Sequence, residues 1–256
     1  MNVAIIQAPL QWEDPSYNRS FFERKLSFVQ EQTDLVILPE TFTTGFSMLS
    51  KNLAEKMEGA SVSWMIEMAK EHQVHIAGSL IIQEGQQYFN RLLVVGPSGI
   101  EAIYDKRHLF TMAQENEHYT SGKERVIVDI KGWKILLQTC YDLRFPVFSR
   151  NQKDYDAVIY VANWPAVRSY PWTTLLRARA MENQCYVLAC NRVGKDGNGI
   201  EYSGDSAILN PIGEECIDIP AFEEGVFYHC LDQKLLEDCR TKFPVLNDGD
   251  LFEVKL

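Results

Sequence analysis

The sequence predicts a mixed α/β fold in which two β-sheets pack together between layers of helices. In most of the chain, short apolar runs alternate with segments whose apolar residues recur at helical spacing. In the middle, Glu84-Gly85 and Pro97-Ser98-Gly99 separate three consecutive strand-like runs, which indicates antiparallel hairpins. A purely parallel, doubly wound sheet accommodates these hairpins less well than a pair of sheets does.

The N-terminal part is predicted to alternate strands and helices before the hairpins begin. Asp14 is predicted to cap a helix that begins at Pro15 and continues to about Gln32, because proline suits the first helical position. Ser61 is predicted to cap a second helix. The predicted strands are Val3 to Gln7, Leu35 to Leu38, Val74 to Leu80, Leu80 to Gln83, Tyr88 to Val95 and Ile100 to Tyr104.

The segment from Asp105 to Glu124 has no clear period and is predicted to be a long loop, which in a compact domain is usually functional or disordered. A helix is predicted from Pro171 to about Gln184, and Asp232 is predicted to cap the last helix. A glycine-rich loop is expected over 194–204. The remaining predicted strands are 126–130, 135–139, 157–162, 185–191, 207–209, 216–219 and 226–230.

At 256 residues the chain is long enough for one large domain, and no linker, repeat or low-complexity tract divides it. We therefore predict a single domain over residues 1–256. The formal net charge of −10 argues against nonspecific binding to nucleic acids and to anionic membranes, because both require clustered lysines and arginines. An anionic small substrate remains compatible with this charge, since salt screens charges more than about 8 Å apart.

No signal peptide is recognisable at the N-terminus, and no stretch approaches the roughly 20 apolar residues of a membrane span. We therefore expect a cytoplasmic protein with six reduced cysteines, which lack the density of a disulfide scaffold. We expect no metal site, because there is no Cys-x-x-Cys pair and His72 with His75 is an isolated pair. We expect no cofactor, because the glycine-rich loop lacks a dinucleotide-binding pattern.

Three residues of different chemistry each follow an apolar run: Glu40, Lys106 and Cys140. A free thiol titrates near pH ~8.5 and needs a base or a cation to act as a nucleophile at neutral pH. Glu40 is a candidate base, and the ammonium of Lys106 is a candidate stabiliser of an oxyanion. Each residue also has a structural interpretation, as a solvated carboxylate, part of a charged turn, or a small buried hydrophobe.

Three segments resemble the three catalytic motifs of the nitrilase, or carbon–nitrogen hydrolase, superfamily, and they occur in its order. They are Leu38-Pro39-Glu40, Tyr104-Asp105-Lys106-Arg107-His108-Leu109-Phe110 and Cys140-Tyr141-Asp142-Leu143-Arg144-Phe145-Pro146. The resemblance implies an αββα sandwich, a Glu40/Lys106/Cys140 triad and a second carboxylate at Glu115. It also implies an oligomer, usually a homodimer.

Finer matches resemble the bacterial ω-amidase branch, notably 160–165, 178–184 and 191–194. The resemblance implies hydrolysis of the terminal amide of 2-oxoglutaramate or 2-oxosuccinamate through a thioester at Cys140. The same triad also suits N-carbamoyl compounds, and a non-catalytic binding protein of the same fold is a third alternative. Tyr141, Trp164 and Arg168 are candidate substrate-binding residues, because they lie in segments expected to reach the crevice of Cys140. Arg168 would hold the substrate carboxylate, and the alternative interpretation is a solvent-exposed loop arginine.

Two departures from the family pattern affect these assignments. The loop from Lys106 to Glu115 is shorter than in many relatives, so that neighbouring Glu117 competes with Glu115 for the second carboxylate position. Val147 stands where many relatives have glutamate, so one structural ion pair is expected to be missing. We expect Arg144, within the nucleophile turn, to be a structural ion-pair partner rather than a substrate ligand.

Overall fold

The computed structural model describes residues 1–254 and confirms the mixed α/β fold. Within these residues no helix is both long and apolar enough to cross a membrane. The helices are α1 (Pro15–Leu26), α2 (Ser50–Leu53), α3 (Ala60–His72), α4 (Glu115–His118), α5 (Pro146–Ser149), α6 (Ser169–Asn183) and α7 (Gln233–Lys242). The strands are β1 (Asn2–Gln7), β2 (Leu35–Ile37), β3 (His75–Glu84), β4 (Gln87–Gly96), β5 (Gly99–Asp105), β6 (Ile127–Ile130), β7 (Trp133–Thr139), β8 (Ala157–Ala162), β9 (Tyr186–Asn191), β10 (Val193–Lys195), β11 (Glu201–Ser203), β12 (Ala207–Leu209) and β13 (Gly225–Cys230).

Two mixed sheets form the centre of the fold. The first has six strands in the order β13-β1-β2-β3-β4-β5, and the second has five in the order β12-β9-β8-β7-β6. In each sheet three parallel strands, β1-β2-β3 or β7-β8-β9, are flanked by antiparallel strands. The predicted hairpins are confirmed as β3-β4 and β4-β5.

The hydrophobic core lies between the sheets and continues on their outer faces. Because side chains alternate along a strand, Ile135 and Leu137 of β7 contact the opposing sheet, whereas Leu136 packs in the outer layer with residues of α6. In β1, Val3 contacts the core between the sheets and Ala4 packs in the layer of α1 and α3. Burial on both faces explains the continuous apolar runs.

Three predictions in the N-terminal half need correction. Helix α1 ends at Leu26 rather than near Gln32, and Phe28, whose spacing extended the prediction, is 79% exposed. The two runs predicted on either side of Leu80 form the single strand β3, because no turn interrupts them. Ser61 does not cap α3: its N–H donates to Glu55 Oε2 at 2.7 Å, so a carboxylate from the preceding segment satisfies that turn of the helix.

In the C-terminal half, the glycine-rich loop contains the hairpin β10-β11, and 216–219 form no strand. A single bridge between Leu209 and Glu215 is the nearest pairing. The predicted long loop contains one 3₁₀ turn and the short helix α4. The caps at Asp14 and Asp232 are confirmed, since both side chains accept backbone N–H groups of the helices they precede.

Candidate active site

Four strand ends meet at one place in the molecule. Glu40 follows β2 closely, while Lys106, Cys140 and Asn163 directly follow β5, β7 and β8. Glu40 is fully buried, and its Oε2 accepts the backbone N–H of Asn163 at 2.8 Å. Its Oε1 accepts Asn90 Nδ2 at 2.8 Å. These neutral donors fix the carboxylate and compensate for its burial.

The ammonium of Lys106 lies between two buried carboxylates. Its Nζ donates to Glu40 Oε1 at 2.9 Å and to both oxygens of Glu115 at 3.0 Å. Burial alone would lower the pKa of Lys106, but Glu115 and then Glu40 outweigh burial and raise the pKa above its usual value. Lys106 therefore stays charged, and its Nζ also lies 4.9 Å from the centre of the Phe46 ring.

Glu115, rather than Glu117, contacts Lys106, because Glu117 is exposed. Glu115 is the first residue of α4, and its Oε2 also accepts the backbone N–H of Phe110 at 2.5 Å. Burial raises the pKa of Glu115, the charge of Lys106 opposes this rise, and Glu40 adds to it. The short loop therefore still brings a second carboxylate to the lysine.

Cys140 occupies a sharp turn between β7 and a 3₁₀ segment over 140–144. Its φ of 45° is in the left-handed region, which costs a non-glycine residue about 1–3 kcal/mol and requires support from its surroundings. Burial raises the pKa of the Cys140 thiol well above its usual range, and the carboxylate of Glu40 raises it further. Lys106 and the backbone N–H of Asn163 lower it in part, so the thiol is neutral at pH ~7.

Asp142 connects the turn of Cys140 to the segment that follows Lys106. Its Oδ2 accepts the backbone N–H of Thr139 at 2.9 Å and the Tyr104 hydroxyl at 2.7 Å. Its Oδ1 contacts the backbone nitrogen and Nδ1 of His108 at 2.9 and 2.8 Å. The buried carboxylate thereby fixes the nucleophile turn relative to the lysine, which helps to hold Cys140 in its left-handed conformation.

A cavity of about 770 Å³ lies next to the buried cluster and is within the size range of small-molecule sites. Lys106, Cys140 and Asn163 lie in its lining. Aromatic side chains form much of its remaining wall, namely Trp12, Phe46, Phe110, Tyr141, Trp164 and Tyr202. The cavity therefore offers apolar walls around a small number of converging polar groups.

All three predicted substrate-binding residues, Tyr141, Trp164 and Arg168, line this cavity. The expectation for Arg144 is wrong: it forms no ion pair within the described part of the chain, it is exposed, and it also lines the cavity. The carbonyl oxygen of the neighbouring residue Leu143 accepts a hydrogen bond from Arg179 Nη2 at 2.7 Å.

Sequence reasoning missed several residues that contact the buried cluster. Asn163 directly follows β8, so the strand-end criterion that selected Cys140 also applies to it. Asn90 lies inside β4 and gave no such signal. Phe46 and Asp142 likewise gave no independent signal, because their contacts depend on how separate segments meet.

Among residues 1–254 there is no group of three or more His, Cys, Asp or Glu side chains that could hold a metal ion. A base, a cation and a thiol around one cavity can instead carry out nucleophilic attack on a carbonyl group.

Comparison with known proteins agrees with this chemistry. The carbon-nitrogen hydrolase family model matches residues 2–241. Omega-amidase YafV of Escherichia coli K12 is 45% identical over 254 residues, covering 99% of this chain and 98% of the relative. The 2-oxoglutaramate amidase of Bacillus subtilis is 32% identical, covering 96% of each chain.

A solved structure is similar over the whole chain. XC1258 from Xanthomonas campestris, a CN-hydrolase superfamily protein with an arsenic adduct in its active site, superimposes with a TM-score of 0.97. It is 43% identical, and the match covers 100% of this chain and 99% of that one. Both the predicted fold and the predicted family are confirmed, and the chain belongs to the carbon-nitrogen hydrolase family.

Proposed function

We propose that this hydrolase is an ω-amidase that converts 2-oxoglutaramate or 2-oxosuccinamate and water to the dicarboxylic acid and ammonia. The observation that carries the proposal is a cavity lined by Cys140, Lys106 and two arginines, Arg144 and Arg168, with the buried carboxylate of Glu40 2.9 Å from Lys106 Nζ. The names of the YafV and Bacillus relatives support the substrate class.

In the proposed first step, Cys140 attacks the amide carbon while Glu40 accepts the thiol proton. Because the thiol is neutral, a general base must remove its proton during the attack. The carbonyl oxygen becomes an oxyanion, and Lys106 Nζ stabilises it together with the backbone N–H of Tyr141. That N–H lies at the start of the 3₁₀ segment, where the helical pattern provides no backbone acceptor.

Collapse of the tetrahedral intermediate breaks the carbon–nitrogen bond. Glu40 returns the proton to the leaving nitrogen, so that ammonia departs and a thioester at Cys140 remains. Water then attacks the thioester carbon as Glu40 accepts its proton, and the thiolate leaves and is reprotonated. One water is consumed, and the products are the acid and ammonia.

Glu115 is proposed to act through Lys106. Both of its oxygens accept from Nζ, while Glu40 accepts a further N–H, so the ammonium is oriented by two carboxylates. We propose that the two Glu115 oxygens share one of the three N–H donors of the lysine and Glu40 accepts the second, which leaves the third for the substrate oxygen. Glu115 also compensates for the burial of the positive charge, which would otherwise favour loss of its proton.

Trp164, Tyr141 and Arg168 are proposed to contact the substrate. Trp164 donates its indole N–H to the Arg168 carbonyl at 2.7 Å, which fixes the indole against the loop after β8. The Arg168 guanidinium lies 5.5 Å from the centre of the Phe110 ring and makes no ion pair within residues 1–254. A guanidinium in this position can form two parallel hydrogen bonds to a carboxylate.

The function is tested by ammonia release from purified protein. We expect turnover of 2-oxoglutaramate and 2-oxosuccinamate at a kcat/KM well above that of N-carbamoyl amino acids. Preference for N-carbamoyl compounds would support the alternative hydrolase, and absence of turnover on every amide would support a non-catalytic protein.

Three variants serve as controls for this assay. Cys140→Ala should abolish turnover, while Glu40→Gln and Lys106→Ala should each lower kcat by about 10²–10⁴-fold, because a base and an oxyanion donor both act on the transition state. Trapped substrate should add an acyl mass to the peptide that carries Cys140. An acyl adduct at Cys185 or Cys190 would contradict the mechanism.

The neutral thiol predicts a distinctive alkylation profile. Inactivation by iodoacetamide should keep accelerating as the pH rises above about 8.5, the usual pKa of a thiol, because only the thiolate reacts well and the pKa of Cys140 is raised. Glu40→Gln should shift this profile to lower pH, since the Glu40 carboxylate contributes to the rise. A plateau of the wild-type rate near neutral pH would indicate a preformed thiolate.

Arg168→Ala tests the proposed carboxylate ligand. It should lower kcat/KM for 2-oxoglutaramate by roughly 10-fold or more, because a charged hydrogen bond contributes about 1.5–3 kcal/mol. A neutral amide of similar length should be almost unaffected. An equal loss on both substrates would mean that Arg168 shapes the loop without binding the carboxylate.

We also propose that the chain forms a homodimer through α6. Tyr170 and Met181 are 81% and 51% exposed, and their separation of eleven residues puts them on one face of the helix. Exposed apolar side chains that share a face favour association. Sedimentation equilibrium should give a dimer for the wild type and a monomer for Tyr170→Glu, and a monomeric wild type would contradict the proposal.

A further inference from the structure

The indole of Trp12 brings a hydrogen-bond donor without a protein acceptor to the cavity. Trp12 lines the cavity and is partly exposed, and its Nε1 makes no hydrogen bond within residues 1–254. Trp164 and Trp172, in contrast, donate their N–H groups to the carbonyl oxygens of Arg168 and Asp205. Trp12 Nε1 is not one of the buried atoms that lack a partner, so its N–H is accessible to a ligand.

The ring of Trp12 packs against the backbone at two glycines. A Cβ at Gly45, in the loop after β2, would lie 3.1 Å from Trp12 Cε3. A Cβ at Gly197, in the β10-β11 hairpin, would lie 2.6 Å from Trp12 Cγ and nearer still to Cδ1 and Nε1. Only a residue without a side chain fits at Gly197 while the indole keeps this position. The indole is therefore held in one place by its surroundings.

Arg192 joins the segment of Trp12 to the β10-β11 hairpin. This arginine is fully buried, and its Nη2 donates to the Leu10 carbonyl at 3.1 Å and to the Lys195 carbonyl at 3.0 Å. Strand β11 in turn packs against the 3₁₀ turn that ends at Arg168. One connected wall of the cavity therefore contains both Trp12 and the proposed ligand of the substrate carboxylate.

Both proposed substrates carry an oxo group on the carbon that is bonded to the carboxylate. A donor for the oxo oxygen must therefore lie beside the ligand of the carboxylate. The oxo oxygen can only accept hydrogen bonds, and it loses those from water when the substrate enters the cavity. Without a protein donor this loss would weaken binding.

Few side chains of the cavity wall offer a free donor to a neutral oxygen, apart from the arginines and the reacting groups. The hydroxyl groups of Ser47 and Tyr202 already donate to carboxylates. Within residues 1–254 the side chains of Tyr141 and Asn198 make no hydrogen bond, but both can accept as well as donate. The indole N–H of Trp12 can only donate, so it matches a group that can only accept.

We propose that Trp12 is a specificity-determining residue whose indole N–H donates to the 2-oxo oxygen of the substrate. This inference rests on the proposed function and extends it, because it assigns a residue to the preference for 2-oxo acids over ω-amide acids without an oxo group. Removal of the donor leaves the oxo oxygen without a partner, whereas a substrate that lacks this oxygen loses nothing.

The test compares 2-oxoglutaramate with glutaramate, which has the same length and the same carboxylate but no oxo group. The wild type should have the higher kcat/KM for 2-oxoglutaramate. Trp12→Phe should lower this value by roughly 3- to 10-fold, as expected for loss of a neutral hydrogen bond, and change that for glutaramate by less than about twofold. Arg168→Ala should instead lower both values, because both substrates carry the carboxylate.

Product binding gives a readout that does not depend on turnover. In Cys140→Ala, calorimetry should show tighter binding of 2-oxoglutarate than of glutarate, and added Trp12→Phe should remove most of the difference. Gly197→Ala should reduce the same preference in the active enzyme, because its Cβ would displace the indole without removing the donor.

Trp64→Phe is the matched control, because the Trp64 N–H also lacks an acceptor but lies in the outer core rather than in the cavity. It should leave the kinetics of both substrates unchanged. Equal losses on both substrates in Trp12→Phe, an unchanged ratio in Trp12→Phe and Gly197→Ala, or loss of the preference in Tyr141→Phe instead would overturn the role of Trp12. Each of these results would leave the ω-amidase proposal intact, whereas a wild type that hydrolyses no ω-amide acid would overturn both.

Discussion

The fold depends at its functional end on one buried ammonium held between two buried carboxylates. Lys106, Glu40 and Glu115 are each at most 1% exposed, and isolated charges in such a place would be strongly destabilising. Their mutual contacts at 2.9–3.0 Å, with the added donors Asn90 and Asn163, make this burial possible. These groups come from different strands of both sheets and from a loop. Their contacts therefore hold the ends of the two sheets together.

A third buried carboxylate, that of Asp142, connects this cluster to the turn that carries Cys140. Asp142 receives the Tyr104 hydroxyl from the end of β5 and the backbone N–H of Thr139 from the end of β7. Tyr104 lies two residues before Lys106, and Thr139 lies directly before Cys140. A shift of either strand would break one of these hydrogen bonds, so the distance between cation and thiol is set by the packing of the two sheets.

Local sequence patterns predicted the site residues that follow a recognisable strand. They missed the contacts between segments that are far apart in the sequence. Glu40, Lys106 and Cys140 were recognisable because each follows a buried strand, and their family resemblance added Glu115. The hydrogen bond from Asn90 to Glu40 joins residues fifty positions apart, so no local sequence pattern indicates it. For Arg144, a charged residue in a tight turn suggested an ion pair, but its guanidinium lies over Trp164 instead.

The charge of the cluster explains why a neutral thiol suits this site. Two carboxylates and one ammonium already give a net negative charge around Cys140, so a resting thiolate would add a further buried negative charge. In the proposed mechanism Glu40 accepts the thiol proton as the sulfur attacks, so that the cluster loses one negative charge while the oxyanion gains one beside Lys106. The total charge stays constant through the step, and the ammonium is already oriented where negative charge develops. The same buried ion cluster that organises the strand ends therefore also raises the pKa of the Cys140 thiol through the carboxylate of Glu40.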